Sequence, residues 1–186
     1  MRTRIAYWMS HKKIRYAVFG VAGVIGIGLV LLAFTFLRQK EGPSVAGKDE
    51  GVALVDYTGA RVQFDSFLGV LGAKPLVVFF WASWCPYCTE EFARLSEVKQ
   101  QYGDRVQIVA INRGESPQDA KLFSQKLPNT EGIVFLIDPD DLLFKKLGGY
   151  AVPETIFINA HGEEVVHAHG PISSDAIAAA MKQLIK

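Results

Sequence analysis

The chain has 186 residues, with 20 basic side chains against 19 acidic and 49% hydrophobic residues. That length leaves room for one ordinary domain plus an appendage, and the even charge balance gives nucleic acid no footing. Part of the apolar content sits in one N-terminal block rather than in a core.

That block runs without a charge from Ala17 to Leu37, after Arg2, Arg4, Lys12, Lys13 and Arg15. At the rise of an α-helix it spans about 30 Å, the thickness of a bilayer's hydrocarbon core, which predicts one transmembrane helix over 17–37. Basic residues stay on the cytoplasmic side, so residues 1–16 are expected inside and the remainder outside. A cleaved signal peptide is the competing reading, with Ser44-Val45-Ala46 as its small-residue site, but the apolar run exceeds the roughly 7–15 residues usual there. Residues 38–50, rich in Gly, Pro, Ser and charge, read as a linker, and a domain over 51–186 follows.

Val52–Val55 and Arg61–Phe64 form a small hairpin with Gly59 in its turn, and Ser66–Gly72 is a connector. Next, Val77, Val78, Phe79, Phe80 and Trp81 show almost no alternation, the pattern of a strand covered on both faces. This strand feeds Trp84-Cys85-Pro86-Tyr87-Cys88, after which Phe92, Leu95 and Val98 recur at helical spacing. Pro86 suits the first helical position, and Gly103 stops the helix.

Further on, Val106–Ile111 is a second buried strand, and Ser116 caps a helix that stops before Pro128. Ile133–Ile137 is another strand, and Asp138 to Asp141 opens a short helix ending at Gly148-Gly149. Thr155–Ile158 and Glu164–His167 flank a turn at Ala160–Gly162, and Ser173 caps a last helix whose apolar face is Ile177, Met181, Leu184 and Ile185.

Chemistry concentrates at the two cysteines, the only ones in the chain. A sulfur just before a helix N-terminus faces free peptide N–H groups and the positive end of the dipole, so the Cys85 thiolate is favoured over the thiol. Cys88, one turn on and further inside the helix, is within disulfide reach and is the natural resolving partner. A zinc knuckle would want four ligands, and no second cysteine pair exists. A purely structural bridge across so short a loop would restrict the unfolded chain little.

Trp81-Ala-Ser-Trp-Cys85-Pro-Tyr-Cys88, followed by Tyr150-Ala-Val-Pro153-Glu-Thr-Ile-Phe-Ile158, resembles the membrane-anchored thioredoxin-like reductases of the TlpA/ResA/CcmG group. The resemblance covers roughly residues 51–186. It implies an α/β thioredoxin fold, a central mixed sheet flanked by helices, with an N-terminal hairpin and a helix-strand insertion between Ile111 and Asp138. It also implies that Pro153 is cis and lies against the cysteine pair, with the backbone of Val152 offered to an extended client. Glu91, three residues after Cys88, would by the same analogy move protons for Cys88 or tune the thiols. Trp84, Pro86 and Tyr87 around the nucleophile complete the candidate substrate-binding residues. Glu154 matches the Pro-Glu-Thr of the cytochrome c maturation branch, with a surface role as its alternative. The Pro86-Tyr87 dipeptide, by contrast, is typical of glutaredoxins.

The resemblance thus implies a protein disulfide reductase on the periplasmic or extracytoplasmic side of the cytoplasmic membrane. Its partners would be client proteins, apocytochrome c among them, and a transmembrane electron donor of the DsbD or CcdA type. No metal site is assigned, and no cofactor is expected beyond the redox-active Cys85–Cys88 pair. A disulfide oxidant resembling DsbA is one rival, and a copper-binding module resembling the Sco proteins is another. His167 and His169 alternate on one strand as two metal ligands would, but no third ligand is evident nearby, which favours an exposed polar edge. A peroxiredoxin is disfavoured because Ala82 stands where that family carries Thr.

Overall fold

The computed structural model describes residues 43–45, 52–68 and 74–185. The predicted cytoplasmic segment 1–16 and membrane helix 17–37 lie outside the described residues, as do most of the linker and the end of the connector. Among the described residues no helix is long and apolar enough to cross a membrane.

One mixed sheet of seven strands organises the domain: β1 (Leu54–Val55), β2 (Arg61–Val62), β3 (Leu76–Trp81), β4 (Gln107–Arg113), β5 (Ile133–Asp138), β6 (Glu154–Ile158) and β7 (Glu164–His169), in the order β2-β1-β5-β4-β3-β6-β7. β3, β4 and β5 run parallel, while β1 and β6 pair antiparallel to β5 and β3. The helices are α1 (Cys88–Tyr102), α2 (Pro117–Ser124), α3 (Leu142–Lys146) and α4 (Ser174–Leu184). The expected helix-strand insertion is α2 with β5, and β5 is seated inside the sheet between β4 and β1.

β3 is buried at every position, as its lack of alternation predicts. Its side chains still divide by strand geometry, since successive residues point to opposite faces. Val77, Phe79 and Trp81 join Phe92 and Leu95 of α1 and Ile177 and Met181 of α4 in one core layer. Leu76, Val78 and Phe80 join Leu54, Phe64, Leu143 and Phe144 in the other. Trp81 packs edge-on to Phe92 at 5.3 Å and stacked on Phe123 at 5.4 Å, filling the space beneath the cysteine turn.

The helix starts follow their caps. Ser116 accepts from the Asp119 N–H and Ser173 from the Ala176 N–H. At the end of α1, Gly103 takes φ +55° and its N–H donates to the Lys99 carbonyl. α3 has another arrangement, because its N-cap residue Asp141 makes no side-chain cap bond. Asp138, 1% exposed at the end of β5, instead accepts from the Leu142 and Phe144 N–H groups at 3.0 and 2.9 Å.

Two expectations need correction. α1 begins at Cys88 rather than Pro86, because Pro86 and Tyr87 form a turn that carries the chain from the cysteine loop into the helix. Residues 43–45, assigned to the linker, pack on the domain: Ser44 bridges to Glu163, the Val45 N–H donates to the Gly162 carbonyl, and Val45 is fully buried. The hairpin turn between β6 and β7 thereby gains a short third partner.

Asp138→Ala leaves two peptide N–H groups at the head of α3, the buried one of Phe144 and the partly buried one of Leu142, without their acceptor. It is expected to lower unfolding stability by about 1–3 kcal/mol, read from urea denaturation. A change below about 0.5 kcal/mol, the size of an ordinary surface substitution, would show that α3 does not depend on this carboxylate.

Candidate active site

β3 ends at Trp81, and the chain turns through Ser83-Trp84 to reach Cys85, whose N–H donates to the Ala82 carbonyl at 3.1 Å. The turn is held from the neighbouring strand. Trp81 pairs in register with Asn112 of β4, and the Glu115 carboxylate just beyond β4 receives both the Ser83 N–H, at 2.8 Å, and the Ser83 hydroxyl. Asn112, fully buried, donates to the same carboxylate at 2.5 Å and accepts from the Glu115 N–H at 3.2 Å. Sequence reasoning missed this brace. Its one local signal is an Asn where an apolar strand should still be apolar.

The two sulfurs are bonded at 2.07 Å, with Cα atoms 5.5 Å apart. Cys88 is fully buried, whereas Cys85 keeps 4% of its surface exposed. A client can therefore reach only Cys85, which also stands just ahead of a 15-residue helix and its positive end.

Glu91 lies one turn after Cys88 on the same face of α1, a spacing that makes the two side chains neighbours. It is fully buried, whereas its neighbour Glu90 is an exposed helix carboxylate paired with Arg94 at 3.1 Å. The Thr155 hydroxyl of β6 donates to Glu91 Oε1, and the Ile172 N–H donates to Oε2 at 3.3 Å. Burial pushes the Glu91 carboxyl above its ordinary value; the Thr155 and Ile172 hydrogen bonds and the Arg94 charge pull the other way and only partly offset it.

The second motif stands at the same end of the sheet, because β6 runs antiparallel to β3 and Glu154 is in register with Phe80. The Val152–Pro153 bond is cis, as the resemblance implied. Val152 packs against both core layers, and the Gly170 N–H donates to the Pro153 carbonyl at 3.0 Å. Trp84, Tyr87 and Tyr150 are 66%, 54% and 72% exposed, so both motif loops present aromatic rings to solvent. Tyr150 was not among the residues the sequence singled out.

Glu154 is not a surface residue. It is fully buried, and its Oε2 accepts from the Tyr150 and Ala151 N–H groups at 3.2 and 3.4 Å. His167 and His169 do share one face of β7 but are not a bare polar edge, since both rings contact Glu154. That cluster alternates with Thr155 along β6, so it lies on the side of the sheet away from Glu91 and the cysteines. Among the described residues, the cysteine and histidine ligand set that a Sco-like copper module would use is not assembled.

The sequence profile of the AhpC/TSA family matches residues 43–167. The thiol:disulfide interchange protein HelX of Rhodobacter capsulatus is 28% identical over 84% of this chain and 86% of its own length. The thiol:disulfide interchange protein DsbE of Allochromatium vinosum is 31% identical over 62% of each chain. Among solved structures, a secreted Mycobacterium tuberculosis disulfide oxidoreductase homologous to E. coli DsbE shares the fold, with a TM-score of 0.63 and 24% identity, covering 75% of this chain and 100% of that one.

Because the Glu91 carboxyl is raised in the folded state, its contribution to stability is complete below the ordinary carboxylate range and is lost as pH rises through the raised value. Glu91→Gln cannot ionise. Thermal melts across pH should therefore show the wild type losing ground to the variant as pH climbs above that range, whatever constant offset the altered hydrogen bonds add. Parallel curves would mean that folding does not raise the proton affinity of Glu91.

Proposed function

The chain belongs to the AhpC/TSA family and is a thiol-disulfide oxidoreductase whose clients are thiol-containing proteins, and from that premise we propose that it is a membrane-anchored protein disulfide reductase working outside the cytoplasm. The observation that carries the chemistry is the asymmetry of the pair: Cys85 touches solvent, while Cys88 is sealed beneath it next to a buried acid.

In the forward reaction the Cys85 thiolate attacks one sulfur of a client disulfide. The client S–S bond breaks, a Cys85–client mixed disulfide forms, and the other client sulfur leaves as thiolate. Cys88 then gives up its proton, attacks the Cys85 sulfur and breaks the mixed disulfide. The second client thiol is released, and the Cys85–Cys88 disulfide remains. Two electrons have moved from the dithiol to the client. Glu91, held one turn from Cys88 and raised above the usual carboxylate range, is the base that takes the Cys88 proton.

Client docking falls to the exposed rings of Trp84, Tyr87 and Tyr150, with Pro86 beside the nucleophile, and to the Val152–Pro153 segment. Among the described residues no hydrogen bond engages the Val152 N–H or carbonyl, which supports their use by an extended client segment. The uncharged run 17–37 with its basic flank supports the anchor and the outward placement of the domain. The TlpA/ResA/CcmG resemblance supports the reducing direction, haem-attachment cysteines of apocytochrome c as a client, and a DsbD- or CcdA-type donor that regenerates the dithiol.

Direction is decided by the reduction potential of the pair, measured by equilibrating the protein in graded thiol-disulfide buffers and reading tryptophan fluorescence. The reductase reading expects a value near that of thioredoxin, about −270 mV. A value near that of DsbA, about −120 mV, would make the protein a disulfide donor instead.

A further inference from the structure

On the face of the sheet opposite the cysteines, strand register brings three ligand-bearing side chains together. Glu154 of β6 stands directly across from His169 of β7, and His167 lies two residues away on the same face. His167 Nε2 is 2.6 Å and His169 Nδ1 2.8 Å from the same carboxylate oxygen, Glu154 Oε1, and the two imidazole rings are 4.2 Å apart. The three ligand atoms lie within 4.8 Å of one another. We propose that Glu154, His167 and His169 bind one divalent transition-metal ion of the zinc class.

The donor set fixes that class. Two imidazoles and one carboxylate suit zinc and its neighbours in the first transition row, whereas magnesium and calcium prefer all-oxygen surroundings. Metal–ligand bonds of ~2.0–2.2 Å at tetrahedral angles place neighbouring ligand atoms ~3.3–3.5 Å apart. The present nitrogen–oxygen gaps of 2.6 and 2.8 Å need to widen by roughly 0.5–0.9 Å to reach that spacing, which side-chain rotations supply. Binding a cation requires bare ring nitrogens and a bare carboxylate oxygen at the three ligand positions, so any proton held there leaves to solvent as the ion enters.

Outer partners are already in place. Glu154 Oε2 is held by the Tyr150 and Ala151 N–H groups, which turns Oε1 toward the histidines. The far nitrogen of His167, Nδ1, faces Glu164 Oε1 at 3.5 Å, the carboxylate–histidine arrangement that orients metal-binding rings. Glu154 is fully buried and the His167 side chain 14% exposed, while the His169 side chain at 38% opens the cluster to solvent and leaves a coordination position for water. An ion here would clamp β6 to β7 through the carboxylate that fixes the loop leading into cis-Pro153.

The full chain, in detergent and with Cys85–Cys88 oxidised so that no thiolate can bind metal, is titrated with zinc(II) against a chromophoric chelator, and cobalt(II) is substituted for a visible spectrum. One equivalent should bind. The cobalt spectrum should show ligand-field bands without sulfur charge transfer. His169→Ala and Glu154→Gln should each weaken binding by more than the ~10–100-fold that loss of an outer partner costs, and His161→Ala should change nothing. His169 is on the open side, so its variant keeps the test valid even if Glu154→Gln fails to fold. The proposal is overturned if no stoichiometric ion binds, or if binding persists undiminished in His169→Ala.

Discussion

The Glu91 carboxylate has been taken out of water and given one hydroxyl and one peptide N–H in return. Those two donors come from different parts of the chain, Thr155 on β6 and Ile172 ahead of α4, so the carboxylate fastens α1 to both. Each partner matters because a buried ionised group without hydrogen bonds is far more costly than one that has them. Burial outweighs the donors and keeps its proton affinity above that of a surface glutamate, the property on which the proposed proton transfer from Cys88 relies.

Strand alternation then sorts the chemistry onto two faces. Thr155 points to Glu91 and the cysteine layer, and Glu154, its neighbour, points to the histidines on the other side. Pro153 precedes both, so the cis-proline loop stands between two buried carboxylates that share no contact. The brace from Glu115 to Ser83 does for the cysteine turn what Glu154 does for the loop before Pro153. Polar side chains just past the end of β4 and at the start of β6 fix two irregular segments that have no ladder of their own.

Much of this was legible because it is local. A strand without alternation, a Ser before a helix, a Gly after one and a proline in a known motif announce β3, the caps at Ser116 and Ser173, the stop at Gly103 and the cis bond. What was not legible depends on register between distant segments. Helical spacing sets Glu91 in line with Cys88 and Leu95 and Glu90 in line with Arg94, but the partners that bury the Glu91 carboxylate, Thr155 and Ile172, come from distant segments. Glu154 and the two histidines looked unrelated because only the antiparallel pairing of β6 and β7 sets them face to face. Ser83 and Glu115 are 32 residues apart, and residues 43–45 find their partners beyond residue 160, so no window of sequence contains either contact. The start of α1 at Cys88 was missed for a smaller reason: a proline that suits a first helical turn suits the preceding turn equally well.

The central claim is that Glu91 takes the Cys88 proton when the mixed disulfide is resolved. It is tested most directly by single-turnover kinetics of that step across pH, for wild type and Glu91→Gln. The wild-type rate should rise through an ionisation above the usual carboxylate range, and the variant should lack that rise and be slower at neutral pH by roughly 100-fold, the low end of general-base effects. Superimposable profiles would contradict the account and leave Glu91 as a structural tie alone.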